Sequence, residues 1–268
     1  MTDKKERRQS IRSQNTKPIK EWNTGAKKVD VNAPFAPSHK YYHEFEHDLK
    51  RVSVQVGKII NSHKLNGHND VMPLITKLLA YRERLGDFAT EVAKKFVKKI
   101  AVTNAREWQA QSRLIGKKLE HDVQTDKIQA LLQQIEAQTR FYVQKLPEDA
   151  VEKVREYSID AYLRGERWET VQEKILKIPG MNYRHAKLVA RTEGAIAASQ
   201  ITMARAQAIG CTHFIWRAVL DNRTRPSHRA MNGKVCEYLD PPIVEGQPLI
   251  PGQIYNCRCH AEPIINIK

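Results

Sequence analysis

The sequence predicts a mainly α protein that ends in a small α+β C-terminal domain, and three observations carry this. Apolar residues recur at spacings of three and four from about Tyr41 to Leu163, as in Ile75, Leu78, Leu79 and Leu85, or Ile128, Leu131, Leu132 and Ile135. Such a stripe belongs to a helix that buries one face. After Gly210 the pattern turns to alternation in "CTHFIWRAVLD", the period of a half-buried strand. All four cysteines, Cys211, Cys236, Cys257 and Cys259, lie in this last quarter, which marks it as a separate unit.

Residues 1–40 are basic, rich in Pro, Ser and Asn, and lack sustained periodicity, so they read as a flexible basic arm. Residues 41–165 read as an elongated helical bundle, with helices over 41–62, 70–119 and 125–146. Breaks are expected at Asn66-Gly67-His68-Asn69, near His121-Asp122, and at Leu146-Pro147, where proline suits the first turn of a new helix. Two further helices are expected on either side of Pro179-Gly180, the second capped by Asn182 and stopped by Gly210. In that second helix Ala186, Ala190, Gly194, Ala197, Ala204 and Ala208 form a stripe that a neighbour can approach closely, although helix propensity alone also selects alanine. Residues 166–268 complete the division. There Thr212 to Leu220 reads as a strand, short strands lie around "KVCEYL" and "HAEPIINI", and "SHRAMNG" reads as a short helix. The Pro/Gly-rich "DPPIVEGQPLIPGQ" is a long loop of a kind uncommon in compact domains unless something pins it.

The net charge of +15 favours polyanionic partners through counterion release, while lysines that merely keep helix faces soluble are the other reading. No apolar run approaches the roughly 18–20 residues of a spanning helix, and the N-terminus has no secretory h-region. These features argue against a membrane protein.

Two compact polar runs carry the chemistry. "DNRTRPSH" offers Asp221, Arg223, Arg225 and His228, and "YNCRCHAEP" offers Cys257, Cys259 and His260. In a reducing compartment, clustered cysteines beside histidine argue for a metal rather than a disulfide. A tetrahedral Zn2+ site wants about four N, S or O ligands. His228, Cys257 and Cys259 supply three of them, with Asp221, His260, Cys236 or His213 as the fourth. The competing reading makes the cysteines small buried hydrophobes and His228 an ordinary hydrogen-bonding residue. Arg223 and Arg225 alternate along an extended turn, so both can face one phosphate or carboxylate, or pair with Asp221, Glu193 or Glu262 to fix the loop. Arg191 and Glu193, in "ARTEGA", extend this polar network, with Glu193 expected to meet an arginine of the loop.

Taken in order, "ARTEGA", Trp216, "DNRTRPSH", Gly233, the Pro-rich loop and "NCRC" resemble the head morphogenesis domain of tailed bacteriophages, the family of the phage Mu F and SPP1 minor head proteins. The resemblance covers roughly Glu169 to Pro263. It implies a low-copy, non-enzymatic virion protein of the capsid interior, present in the host cytoplasm during assembly. Its implied partners are the portal protein, packaged double-stranded DNA and other head proteins, and its implied roles are head assembly and DNA packaging or ejection. Cys211 and Cys236 fall outside the family motif and are weaker ligand candidates. No helix-turn-helix, zinc-finger or RNP pattern points to base readout. Two alternatives stand beside this reading. One is a metal-dependent nucleic-acid-cleaving enzyme, with His228 activating water beside a metal held by Asp221 and the cysteines, and Arg223 and Arg225 facing phosphate. The other is a transient DNA-binding scaffold.

Overall fold

The computed structural model describes Phe35 and residues 39–115 and 126–265. The basic arm thus lies almost wholly outside the described residues, as does the break expected near His121-Asp122. Among the described residues the chain runs α1 (His39–Ser62), a 3-10 turn (His68–Asp70), α2 (Val71–Arg84), α3 (Gly86–Ile115), α4 (Asp126–Arg164) and α5 (Trp168–Ala208). The C-terminal elements follow: β1 (His213–Arg217), α6 (Pro226–Met231), β2 (Val235–Glu237), β3 (Ile243–Val244), β4 (Gln247–Pro248) and β5 (His260–Pro263). The chain is mainly helical with a small sheet region at its C-terminus, as its periodicity predicts. No described helix is long and apolar enough to cross a membrane.

Three local expectations are corrected. Pro147 lies inside α4 and Pro179 inside α5, so neither separates two helices. An interior proline costs about 3 kcal/mol, but the apolar stripe continues on both sides of each. Val143, Leu146, Ala150, Val151 and Val154 are buried around the first, and Val171, Ile175 and Ile178 before the second. Burying one Val or Ile side chain is worth about 1.5–3 kcal/mol, so packing outweighs the local defect. Asn182 is consequently no N-cap. It is buried in mid-helix, where its Nδ2 donates to the Leu146 carbonyl at 2.9 Å and its Oδ1 accepts from Ser53 Oγ at 3.2 Å. The segment read as one helix over 70–119 divides at Leu85, which closes α2 by donating its N–H to the Arg82 carbonyl. The signal is Gly86-Asp87, a weak helix former followed by an acid in the first turn of α3.

Contacts divide the chain into two units, and α3, α4 and α5 each contribute to both. The first comprises 38–101 and 130–197. Its core includes Val56, Ile60, Leu74, Ile75, Leu78, Val154 and Ile175. Part of the small-residue stripe does its packing here. A Cβ on Gly194 would stand 2.7 Å from Tyr42 Cβ, and one on Gly57 would stand 3.2 Å from Pro179 Cβ, so bare backbone is what lets α5 approach α1.

Among the described residues, the second unit comprises Phe35, 102–115, 126–129 and 198–265, and it carries the polar runs. Here α5 ends as its glycine predicts. Gly210 has φ +81, its N–H reaches the Gln207 carbonyl, and the Cys211 N–H reaches that of Ala206, the double closure of a Schellman cap. The following sheet has the order β2-β1-β5, antiparallel throughout, with Phe214 opposite Cys236 and Trp216 opposite Ala261. Phe214, Trp216, Tyr238, Leu249 and Ile250 fill its core together with Trp108 of α3. Behind it, Arg205 Nη1 donates to Asn104 Oδ1 at 2.8 Å and Asn104 Nδ2 to Thr202 Oγ1 at 2.8 Å, which ties α3 to α5. The Pro/Gly-rich loop contains the β3–β4 hairpin and is pinned by Ser199 Oγ, which donates to the Pro251 carbonyl at 2.8 Å.

Candidate metal centre

The end of β1 and the approach to β5 bring the two polar runs together. Pro226 opens α6 with a residue that has no N–H to lose, and two residues later the helix puts His228 against Trp216, edge to face at 5.6 Å. Cys257 and Cys259 precede and abut β5, and the alternation of an extended segment buries both while Arg258 stays half-buried between them. His228 Nδ1 lies 3.5 Å from each sulfur. Among the described residues, His228, Cys257 and Cys259 form a group that can hold a metal ion, their ligand atoms all within 4.8 Å of one another.

The chemistry of the donors fits a cation. The Cys257 thiol is drawn down to about 5, chiefly by its hydrogen bond with Cys259, against the opposing effect of burial. The Cys259 thiol is pushed far up by the same sulfur neighbour and by burial. One proton therefore leaves the pair readily while the second is held by the cost of placing two thiolates side by side, a cost that a bound cation removes. By contrast, Cys211 and Cys236 are each pushed up to about 11, mainly by burial, which is the signature of inert core thiols.

Asp221 is placed differently from the ligand trio. Its carboxylate receives Arg258 through both oxygens, at 2.5 and 2.6 Å, a bidentate pair of the strong kind. It also accepts from the Arg223 N–H and from Thr224 Oγ1. The Arg258 guanidinium, more than any other neighbour, holds this carboxyl well below the usual carboxylate range. Asp221 thus fastens the strand-end loop to the residue between the two cysteines. Arg223 Nη2 joins it at 3.4 Å. Arg225 turns to the Tyr255 carbonyl at 3.1 Å and to Glu245 at 3.6 Å, and Glu262 is taken by Arg217.

The other candidates are occupied or set apart. His213 contacts Thr212 and Glu237. Cys236 Sγ points to the Lys234 carbonyl. His260 is driven down to about 4 by burial and then by Arg217. Glu193 receives Gln138 Nε2 at 3.1 Å within the helical unit, and burial raises its carboxyl; Arg191 sits two residues before it on α5. Sequence reasoning gave Arg258 no role of its own and missed Glu245. Arg258 stands in plain view inside "NCRC", but Glu245 has no local signal except its place before a glycine.

A small cleft of about 50 Å³ opens beside the cluster, lined by Val219, Arg223, Thr224, Arg225, Asn256 and Arg258 besides the three candidate ligands. That is room for an ion with a water or two, not for an organic cofactor.

A buried pair of thiols and one imidazole, clasping a strand-end loop to the last strand of a three-stranded sheet, defines a small α+β module with a candidate metal centre. Residues 152–262 match the family described as Phage Mu protein F like protein. Minor head protein GP7 of Bacillus phage SPP1 is 30% identical over 108 residues, covering 36% of this chain and 35% of its own length. An uncharacterized protein of Haemophilus influenzae (strain Rd) is 28% identical over 116 residues, covering 43% of this chain and 25% of its own. The matches thus span about a quarter to a third of these curated relatives' lengths. No solved structure matches. Over residues 152–262, less than half of the chain, the sequence is thus similar to the Phage Mu protein F like family and to a phage minor head protein.

Proposed function

We propose that this protein is a minor head protein of a tailed bacteriophage, positioned inside the capsid near the portal. It would act in head assembly and in packaging or ejection of DNA, without catalysing a reaction. The observation that carries this reading is the family match over residues 152–262, which takes in the whole His228, Cys257, Cys259 cluster and the Asp221–Arg258 clasp. In this reading residues 166–268 form the head morphogenesis module, residues 41–165 supply helices for the portal and other head proteins, and residues 1–40 are a basic arm for packaged DNA. The +15 charge supports the last assignment. Zn2+ is the ion we assign to the cluster, because two thiols and an imidazole are the donor set of many zinc sites. When bound it would knot the strand-end loop to the C-terminal segment. Peptide mass spectrometry of purified, DNA-filled particles, scaled to the portal protein, tests the proposal. A few copies per portal ring are expected, and absence from the particles would overturn it.

One observation favours a second reading. Arg223 and Arg225 line the cleft beside His228, where a phosphate would sit in a metal-dependent nuclease. Nicking of supercoiled plasmid by the purified chain with Zn2+, Mg2+ or Mn2+, lost in His228→Ala, would establish it over the structural role.

A further inference from the structure

The β3–β4 hairpin contributes nothing to the candidate ligand set, yet it delivers a carboxylate to the far side of His228. Val244 pairs with Gln247, which leaves Glu245 and Gly246 as a two-residue turn. Both have positive φ, +55 and +82, as a type I′ hairpin turn requires. Glycine adopts this conformation without strain, and asparagine adopts it more readily than glutamate does. Glutamate is therefore a poor choice for the backbone at 245, and its side chain is where an explanation has to be found.

That side chain points at the cluster. Glu245 Oε1 lies 3.5 Å from His228 Nε2, a buried nitrogen that makes no hydrogen bond among the described residues, while the opposite nitrogen, Nδ1, faces both sulfurs. Ser227 Oγ donates to the same Oε1 at 2.9 Å and Arg225 Nε stands 3.6 Å from it, so the carboxylate is aimed from two sides. An imidazole that ligates through Nδ1 must carry its proton on Nε2. A carboxylate facing Nε2 selects that tautomer, fixes the ring plane and makes Nδ1 a better donor.

We infer that Glu245 is the positioning residue of this centre: it takes the Nε2–H of His228 and so presents the Nδ1 lone pair to a cation shared with Cys257 and Cys259. The inference rests on the reading that the cluster binds a metal. At 3.5 Å the pair is a close approach rather than a hydrogen bond, and a cation on Nδ1 tightens it by making Nε2–H more acidic.

Titrations of the full-length chain with Co2+ and Zn2+ test both layers separately. Wild type should take up one equivalent of Co2+ with thiolate-to-cobalt absorption, and His228→Ala and Cys257→Ser should lose it. If wild type binds neither ion, the metal reading fails and this inference with it. If wild type binds, Glu245→Asn should keep the absorption but lose Zn2+ affinity by about 10- to 100-fold in competition with a chromophoric chelator. Its metal-free melting midpoint should stay level or rise, because asparagine relieves the turn. Glu245→Gln keeps an oxygen acceptor without the charge and should lose less. Wild-type Zn2+ affinity in both variants would overturn the inference while leaving the metal site standing. A lower metal-free midpoint in Glu245→Asn with normal affinity in Glu245→Gln would assign Glu245 a structural role instead.

Discussion

Replacing Gly194 by alanine isolates the close approach that the motif "ARTEGA" serves. At any helical position free of contacts, Gly→Ala stabilises by about 1 kcal/mol through backbone entropy. Gly180 is such a position, exposed in mid-α5 with nothing within 4 Å of an added Cβ, so Gly180→Ala should gain that amount. At Gly194 the added atom would stand 2.7 Å from Tyr42 Cβ, 3.2 Å from Cγ and 3.1 Å from Cδ1. The nearest of these is bonded directly to the α1 backbone and cannot swing away. Ordinary carbon contacts lie at about 3.5–4.0 Å, so α1 and α5 must part by the better part of an ångström, and overpacking of this kind costs about 1–3 kcal/mol. Subtracting the propensity gain leaves Gly194→Ala destabilised by about 1 kcal/mol, and the two variants about 2 kcal/mol apart. With a urea slope of about 2–3 kcal/mol per molar, their helical unfolding midpoints by circular dichroism should differ by about 0.7–1 M. A Gly194→Ala protein as stable as Gly180→Ala would refute the reasoning, since it would mean that α1 does not press on the bare backbone of residue 194.

Other predictions concern the C-terminal module. Arg258 depresses the folded-state pKa of Asp221, so the pair's contribution is present above the unfolded value of about 3.9. It is lost as pH falls from there toward the folded value. The stability difference between wild type and Asp221→Asn should therefore hold above about pH 5 and shrink steadily as pH falls below about 3.9, and a difference that stays constant from about pH 5 down to about pH 2.5 in urea melts would contradict the assignment. Burial pushes Cys211 and Cys236 up to about 11, whereas Cys257 is drawn down to about 5 by its neighbour. In the native protein at neutral pH, iodoacetamide should modify the Cys257–Cys259 pair before the other two cysteines, and Zn2+ should protect it. Peptide mapping that finds Cys211 or Cys236 labelled ahead of that pair would reverse that order.

Much of this protein was legible in its sequence because the relevant signals are local. The three-and-four spacing that buries Ile75 and Leu78, the change of period after Gly210, and the glycine that closes α5 are each written within a few residues. So was the grouping of His228, Cys257 and Cys259 as candidate ligands, since thiols and an imidazole are scarce here and fall in two short runs. What the sequence could not decide were the choices in which distant residues compete. Pro147 and Pro179 look like helix breaks until the apolar faces on either side are seen to be buried, a gain that outweighs the missing hydrogen bond. Asn182 looks like a cap until Ser53 and Leu146 are seen to claim its amide. Asp221 is a plausible ligand by spacing, but Arg258, thirty-seven positions away in the chain, holds both of its oxygens. Glu245 is one acid among thirty until a hairpin turn sets it against His228. Periodicity and turn chemistry are properties of neighbours in the chain, whereas a charge takes its partner from whatever the fold brings within a few ångströms, and only the tertiary structure supplies that.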